Sequence, residues 1–88
     1  ILVSGPYSAD TFFLKKNLNK YNITIGMYHD QVLIPIKTLF NFEAINITLG
    51  LPFIRISPDH GPNSNMLGKN KSDPNSFIYA MKFIEKLK

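Results

Sequence analysis

The chain contains no cysteine and no tryptophan, and only six of its residues are acidic. The lack of cysteine excludes disulfide bonds, thiolate metal sites and cysteine nucleophiles, and it is compatible with a reducing compartment. No apolar run approaches the roughly 20 residues that a membrane-spanning helix needs. The first residues carry no basic leader, so a secretory signal peptide is not expected.

The length of 88 residues corresponds to one small domain. A domain of this size buries only roughly 60–65% of its unfolded surface, yet 44% of the residues are hydrophobic, including seven Phe and four Tyr. We therefore expect elements that pack against a larger body. The apolar opening Ile1-Leu2-Val3, without an initiator Met, is typical of a strand inside a longer protein. Residues 1–88 are accordingly predicted to be one fragment without an internal boundary.

The charge balance is basic, with ten Lys and Arg residues and a formal net charge of +4. Clustered basic residues bind nucleic acids by displacing phosphate counterions. The lysines of this chain are instead spread over two predicted helices, which favours ordinary solvated helix faces. A non-catalytic basic α/β binding module remains an alternative, and salt-dependent binding to DNA or RNA would support it.

Short apolar segments alternate between the spacings of helices and strands, which predicts an α/β fold with a mixed sheet. The last helix should present one apolar stripe, formed by Phe77, Ile78, Met81, Ile84 and Leu87. The predicted elements are a helix from the Ser8–Thr11 capping cluster to Asn22, a strand over 23–28, strands over 44–49 and 53–57, a loop over 58–72, and a helix started by Asp73-Pro74. Over residues 31–40 the period is ambiguous; the apolar residues fit a helix, in which Pro35 is tolerable only in the first turn.

His29-Asp30-Gln31 follows the predicted strand over 23–28. Ligands of open α/β sheets gather beyond the carboxyl ends of strands, and imidazole is a common transition-metal ligand that a carboxylate can orient. One histidine and one carboxylate do not fill a metal site. From these residues alone, a hydrogen-bonded turn histidine is therefore the favoured interpretation.

Lys37, Asn46 and Arg55 combine two cations and an amide, which together could bind a phosphate. Arg55 lies in an otherwise apolar strand, where a purely structural cation is uncommon. Each residue taken singly is equally well explained as an ordinary surface residue. The pattern of the three indicates an anion site without establishing it.

The sequence Asp59-His60-Gly61 opens the long predicted loop. His60 could bind a ligand, cap a turn or face water, and Gly61 permits close approach of the backbone to a ligand. The stretch over 68–71 lacks the remaining glycine and the Ser/Thr of a phosphate-binding P-loop, so that interpretation is rejected. The residues by themselves thus predict an α/β piece with an anion or metal site.

Several strings, in order, resemble one enzyme family. They are GPYSADTFF from Gly5, MYHDQ from Met27, NITLGLPFIR from Asn46, DHG from Asp59, and GKNKSD ending at Asp73. Together they extend over nearly the whole chain. The chain is similar to the C-terminal part of the metal- and NAD(P)-dependent 4-hydroxythreonine-4-phosphate dehydrogenases of pyridoxine biosynthesis.

The resemblance implies a cytoplasmic homodimer with a shared active site, and the C-terminal portion of an isocitrate/isopropylmalate dehydrogenase-like two-domain α/β/α fold. The implied reaction oxidises 4-phosphohydroxy-L-threonine with NAD or NADP and a divalent metal (zinc, magnesium or cobalt), followed by decarboxylation to 3-amino-2-oxopropyl phosphate. A related dehydrogenase of another four-carbon sugar-acid phosphate is the alternative within the family. The chain is expected to be inactive without the remainder of its own polypeptide, and no nucleic-acid or membrane partner is expected.

The resemblance also implies roles for individual residues. Three histidines hold the family's metal; His29 matches the last of them, and the other two have no counterpart in this chain. The remaining matches are Lys37, Asn46 and Arg55 for substrate binding, Asp10 and Asp30 as catalytic acidic residues, and His60 and Gly61 for cofactor binding. Three departures from the family pattern are Val32, where glycine is more frequent, Pro62-Asn63 in place of Thr-Ala, and Asn65 in place of an acidic residue.

Overall fold

The computed structural model describes residues 1–88. It contains helices and one two-stranded antiparallel sheet, so the chain is a small α/β structure and the expectation of a mixed sheet was wrong. None of its helices has the length and apolarity needed to cross a membrane. The elements in chain order are α1 (Ala9–Phe12), α2 (Lys15–Leu18), α3 (His29–Phe40), β1 (Ile45–Thr48), β2 (Arg55–Pro58), a 3-10 turn (Ser64–Met66) and α4 (Asn75–Lys86).

Two compact units make up the chain, residues 1–35 and residues 36–88, and the division falls within α3. That residues 1–88 are one fragment of a larger protein without an internal domain boundary stays a prediction.

The second unit is built on the β1–β2 ladder, against which α4 packs. The register pairs Ile45 with Pro58 and Ile47 with Ile56. Because side chains alternate between the faces of a strand, these four half-buried residues form the apolar face of the ladder. Asn46, Thr48, Arg55 and Ser57 share the opposite face.

The side chain of Ser76, in the first turn of α4, connects the two strands beyond their last pair. Its hydroxyl donates to the Ala44 carbonyl oxygen (2.5 Å) and accepts the backbone N–H of Asp59 (2.8 Å). If the β1–β2 ladder were extended by one residue pair beyond Ile45 and Pro58, Ala44 and Asp59 would form that pair. Ser76 is 1% exposed, so its hydroxyl satisfies two backbone groups that water does not reach from that side.

We expect Ser76→Ala to destabilise the full-length protein by about 1–3 kcal/mol, because both backbone groups lose their partner inside the protein. The measurement is urea unfolding followed by circular dichroism. Ser64→Ala is the matched control, since Ser64 is exposed on the 3-10 turn, and its stability should stay within about 0.5 kcal/mol of the parent. Equal stability of the two variants would contradict the bridging role.

The buried face of α4 is formed by small residues rather than by the predicted apolar stripe. Ser76 and Ala80 are 1% and 4% exposed, and small side chains allow the helix to approach the ladder closely. Of the predicted stripe, Ile84 is half-buried, whereas Phe77 is 58% and Met81 45% exposed. The helix therefore presents a second, bulky apolar face to solvent.

The predicted helix over residues 8–22 is interrupted. Its two short turns, α1 and α2, are separated at Leu14, whose ψ of 141° is extended rather than helical. The side-chain amide of Asn17 donates to the Thr11 carbonyl oxygen (3.1 Å), an example of local side-chain bonding that competes with a continuous helix. Around the break, Tyr7, Phe12, Phe13 and Tyr21 form an aromatic cluster with ring centroids 5.2–5.7 Å apart.

The predicted strand over 23–28 does not form. A strand needs a neighbouring strand for its backbone groups, and this segment pairs with none, so Ile23 and Ile25 are each 81% exposed. The predicted helix over 31–40 does form, but it begins at His29. Pro35 therefore lies in its interior and not in the first turn, where it removes one backbone donor from the helix.

Gly26 and Val32 fit together closely in the first unit. A Cβ atom on Gly26 would overlap Val32 Cγ2. We expect Gly26→Ala to destabilise the full-length protein by about 1–3 kcal/mol through overpacking, and Val32→Ala to restore most of the loss. Gly61→Ala is the matched control because nothing lies near its Cβ position. Urea unfolding of the single and double variants measures the coupling, and additive effects would argue against it.

Several predicted boundaries are confirmed or shifted by a few residues. The strand over 44–49 appears as β1, and the next strand begins at Arg55 rather than at residue 53. Gly50 lies in the turn between the two strands and has a positive φ (+83°), a backbone conformation that favours glycine. Asp73 lies one residue before the N-cap Pro74, and its carboxylate accepts the backbone N–H of Asn75 (2.9 Å). The helix therefore starts one residue later than predicted, with Pro74 at the N-cap and not at the first helical position.

Candidate functional site

The first candidate group lies at the start of α3. His29 Nδ1 is 2.8 Å from Asp30 Oδ1, and the two side chains are 79% and 77% exposed. With a proton on Nδ1, the imidazole donates to the carboxylate and keeps the Nε2 lone pair available for a ligand. The pair follows irregular chain rather than the strand end that its sequence position predicted.

Gln31 holds the beginning of this helix in place. Its side-chain oxygen accepts the backbone N–H of Met27 (3.2 Å), and its own backbone N–H donates to the Tyr28 carbonyl oxygen (3.1 Å). A glutamine reaching back over the first turn is related to the capping box. The His-Asp-Gln string therefore combines one candidate ligand, its orienting carboxylate and a helix-starting residue.

Asp10 belongs to the same unit, at the start of α1. A hydrogen bond from the Ser8 hydroxyl (2.6 Å), followed by one from the Thr11 backbone, holds the pKa of Asp10 below its ordinary value. The sequence offered Ser8 or Asp10 as the capping residue, and the Ser8 hydroxyl is bound to Asp10 and makes no cap bond of its own. A lowered pKa keeps this exposed carboxylate ionised near neutral pH, where it can accept hydrogen bonds but does not donate a proton.

Two predicted substrate-binding residues share a face of the ladder in the second unit. Thr48 pairs with Arg55, and Asn46 with Ser57, so Asn46 and Arg55 project from the same side. Both are exposed. Arg55 Nη1 donates to Thr48 Oγ1 (2.8 Å) across the strands, which restrains the guanidinium. The other N–H groups of the guanidinium do not take part in this bond. An amide and a guanidinium on one exposed face are suited to bind an oxyanion.

Lys37, the third predicted substrate-binding residue, is placed differently. Its ammonium nitrogen is buried and has no hydrogen-bond partner. The nearest anion is Asp59 Oδ2 at 3.6 Å, beyond hydrogen-bond length, and the two side chains are 32% and 17% exposed. Asp59 directly follows β2, and its backbone is fixed by Ser76.

The predicted cofactor residues lie beyond this point in exposed chain. His60 Nδ1 is 3.2 Å from the Gly61 carbonyl oxygen, to which it donates when protonated there. Nothing lies near the position of a Gly61 Cβ, so no part of this chain requires glycine there. Their role in cofactor binding stays a prediction.

An open groove of about 450 Å³ is present in the second unit, away from all of these residues. Ile45 and Phe83 contribute apolar walls, and both acidic and basic side chains stand around it. It contains no residue that the sequence singled out for chemistry. The groove is thus separate from the candidate residues, most of which are exposed, whereas the Lys37 ammonium is buried.

The residues fit a metal ion only in part. No group of three or more His, Asp or Glu side chains comes together in the chain. His29 fits as a single ligand, because the carboxylate on Nδ1 leaves Nε2 available. The other ligands of a complete site would come from outside residues 1–88.

Three residues of the site escaped the sequence analysis, namely Thr48, Asp59 as the partner of Lys37, and Ser76. A signal existed for Thr48 and Ser76. Thr48 lies two residues from Asn46 and so on the same face of the strand, and Ser76 precedes Ala80 by one helical repeat. No sequence signal pairs Lys37 with Asp59, because the two lie on different elements.

Residues 1–84 match the family model described as "Pyridoxal phosphate biosynthetic protein PdxA". Curated relatives named 4-hydroxythreonine-4-phosphate dehydrogenase include those of Xanthobacter autotrophicus, 47% identical over 94% of this chain and 24% of the relative, and of Sulfurihydrogenibium sp., 49% identical over 100% and 27%. The protein of Roseobacter denitrificans is 53% identical over 89% and 24%. The chain thus spans about a quarter of the length of the relatives it matches.

Proposed function

Because the chain belongs to the family of the pyridoxal phosphate biosynthetic protein PdxA, we propose that the full-length protein is a 4-hydroxythreonine-4-phosphate dehydrogenase. It oxidises the hydroxyl carbon of 4-phosphohydroxy-L-threonine, passing a hydride to NAD or NADP. The resulting β-keto acid loses carbon dioxide and gives 3-amino-2-oxopropyl phosphate for pyridoxal phosphate biosynthesis. The relatives carry this enzyme name, and the chain matches about a quarter of each.

The structural observation that best supports this proposal is the shared face of Asn46 and Arg55. A phosphorylated substrate needs fixed hydrogen-bond donors for its dianionic end, and guanidinium is well matched to phosphate oxygens. Thr48 restrains Arg55 in advance, which lowers the entropy lost on binding. We assign Asn46, Arg55 and Lys37 to substrate binding, with the phosphoryl group bound by the positively charged side chains of Arg55 and Lys37.

His29 is the proposed metal ligand of this chain, through Nε2. A divalent cation (zinc, magnesium or cobalt) held there with ligands from the rest of the protein would supply Lewis-acid polarisation of the substrate oxygens. Asp30 Oδ1 orients the imidazole of His29 through Nδ1. The other carboxylate oxygen of Asp30 does not take part in this contact. We assign Asp30 and Asp10 to catalysis as carboxylates; the lowered pKa of Asp10 keeps that group ionised near neutral pH.

The cofactor and the partners are proposed on the resemblance. His60 and Gly61 are assigned to NAD or NADP, in a loop exposed to solvent. The remainder of the polypeptide is the proposed cover for the apolar side chains that this chain leaves exposed, among them Ile23, Ile25, Phe77 and Met81. The proposal includes the isocitrate/isopropylmalate dehydrogenase-like fold, a homodimer with a shared active site, and a cytoplasmic location.

The test is an absorbance assay at the NAD(P)H band with the purified full-length protein and 4-phosphohydroxy-L-threonine. We expect turnover with one of the two dinucleotides, loss of turnover with a chelator, and recovery when metal is restored. A panel of other phosphorylated four-carbon acids distinguishes the proposed substrate from the family alternative. Absence of turnover with every member of the panel under metal-replete conditions would refute the proposal.

A further inference from the structure

One hydroxyl on the polar face of the β1–β2 ladder takes no part in any bond within the chain. Ser57 lies in β2, directly opposite Asn46 of β1. The residue is half-buried, but its side-chain oxygen is reached by solvent, whereas the Lys37 ammonium nitrogen is both inaccessible and without a hydrogen bond. The hydroxyl of Ser57 is therefore open to a ligand from outside the chain.

Neighbouring hydroxyls are already hydrogen-bonded. Thr48 Oγ1 accepts Arg55 Nη1 (2.8 Å), and the Ser76 hydroxyl is bound to backbone groups on both sides. A serine hydroxyl has one O–H donor and two acceptor lone pairs. Ser57 differs from these neighbours because the chain uses neither its donor nor its lone pairs.

Ser57 lies between two residues that the proposed function assigns to the substrate. Asn46 is its cross-strand partner, and in such pairs the Cβ atoms are about 4.5–5.5 Å apart. Arg55 precedes it by two residues on the same strand, on the same face and about 7 Å away. Both Asn46 and Arg55 are exposed. An anion that contacts these two side chains therefore comes within reach of the Ser57 hydroxyl.

The charges around this face favour an anion. Arg55 is in neither ion pair of the chain, because its restraining partner is the neutral Thr48 hydroxyl and not a carboxylate. The guanidinium thus keeps its full charge for a ligand. The next carboxylate along the chain after Ser57 is that of Asp59, and the Lys37 ammonium, 3.6 Å from it, offsets its charge.

We propose that Ser57 is a further substrate-binding residue, whose hydroxyl donates a hydrogen bond to the phosphoryl group bound by Arg55. This inference rests on the proposed function, in which the phosphorylated substrate binds at this face. Phosphoryl oxygens are strong hydrogen-bond acceptors, and a hydroxyl rotates to meet them. A serine side chain has few rotamers, so ordering it on binding costs little.

The experiment uses steady-state kinetics of the full-length protein, with substrate and dinucleotide varied separately and inorganic phosphate added as a competitive inhibitor. We expect Ser57→Ala to raise the substrate KM and the inhibition constant of phosphate about tenfold each, with the dinucleotide KM unchanged. Ser57→Thr keeps the hydroxyl and suits a strand, so its constants should stay near those of the parent. Ser64→Ala, at an exposed serine outside the ladder, is the matched control and should change none of them.

An unchanged substrate KM in Ser57→Ala overturns the contact, as does an unchanged inhibition constant of phosphate. An equal rise of both KM values, a loss of folding by circular dichroism, or a Ser57→Thr variant as impaired as Ser57→Ala also overturns it, since each indicates a structural role.

Thermal unfolding of the full-length protein with and without inorganic phosphate separates this inference from the proposed function, because it requires no turnover. We expect phosphate to raise the Tm of the parent and of Ser64→Ala more than that of Ser57→Ala. If the parent shows this difference but does not oxidise the phosphorylated substrate, the proposed function fails while the anion contact of Ser57 is supported. Equal stabilisation of the parent and Ser57→Ala by phosphate would argue against that contact.

Discussion

Replacement of His29 by alanine is expected to reduce metal-dependent turnover of the full-length protein more than about 100-fold. Loss of residues that merely orient a metal ligand costs about 10–100-fold, so loss of the ligand itself should cost more. His29 is 79% exposed and supports no packing, so the variant should fold normally. The readouts are turnover with added metal, metal content by mass spectrometry, and thermal unfolding.

His60→Ala is the matched control for metal content. His60 is the other histidine of the chain and is likewise exposed, but its ring is bound to the Gly61 carbonyl oxygen and it is not assigned to the metal. We expect it to retain the metal stoichiometry of the parent. Full metal content and normal turnover in His29→Ala would remove His29 from the proposed metal site.

The second large effect is expected for Arg55→Ala, which should raise the substrate KM about tenfold to a hundredfold and leave the dinucleotide KM nearly unchanged. The estimate follows from about 1.5–3 kcal/mol for hydrogen bonds to a charged group. Arg55 is exposed at the first residue of β2, so its removal should affect binding more than folding. Initial-rate kinetics with each substrate varied in turn provide the measurement.

Two further variants separate charge from geometry at this position. Arg55→Lys keeps the positive charge but loses the planar fork of donors, and its substrate KM should be intermediate. Lys82→Ala removes a comparable positive charge from α4, where the ammonium lies 5.6 Å from the centre of the Tyr79 ring, and should leave both KM values unchanged. A similar rise in Lys82→Ala would indicate a general effect of net charge rather than a specific contact.

Local spacing was enough to predict much of the second unit. The alternation of residues 44–49 correctly predicted a strand, and Asp73-Pro74 predicted the start of α4 to within one residue, because each signal involves neighbouring residues. The adjacency of His29 and Asp30 likewise ensured their contact. The predicted apolar stripe of α4 is present, but most of it is exposed. Periodicity identifies apolar faces but does not decide which of two faces is buried, and here the small Ser76 and Ala80 lie inward.

The predicted strand over 23–28 illustrates what local pattern leaves open. β-prone residues make a strand only when another backbone segment supplies the partner, and these residues find none within the chain. The helix over 8–22 was similarly interrupted by a side-chain bond between Asn17 and Thr11. The first segment lacks the partner strand that its propensity requires, and the second is broken at Leu14; the sequence pattern specifies neither outcome.

The sequence by itself determined the family resemblance, the presence of β1, β2 and α4 in the second unit, and the contact between the neighbours His29 and Asp30. Only the tertiary structure decided that Lys37 faces Asp59, and that Ser76 joins Asp59 to Ala44, 17 and 32 residues away along the chain. Local spacing follows from backbone geometry, which is the same in every helix or strand. Contacts between distant residues depend instead on which faces pack together, and this is settled by the burial of the whole unit.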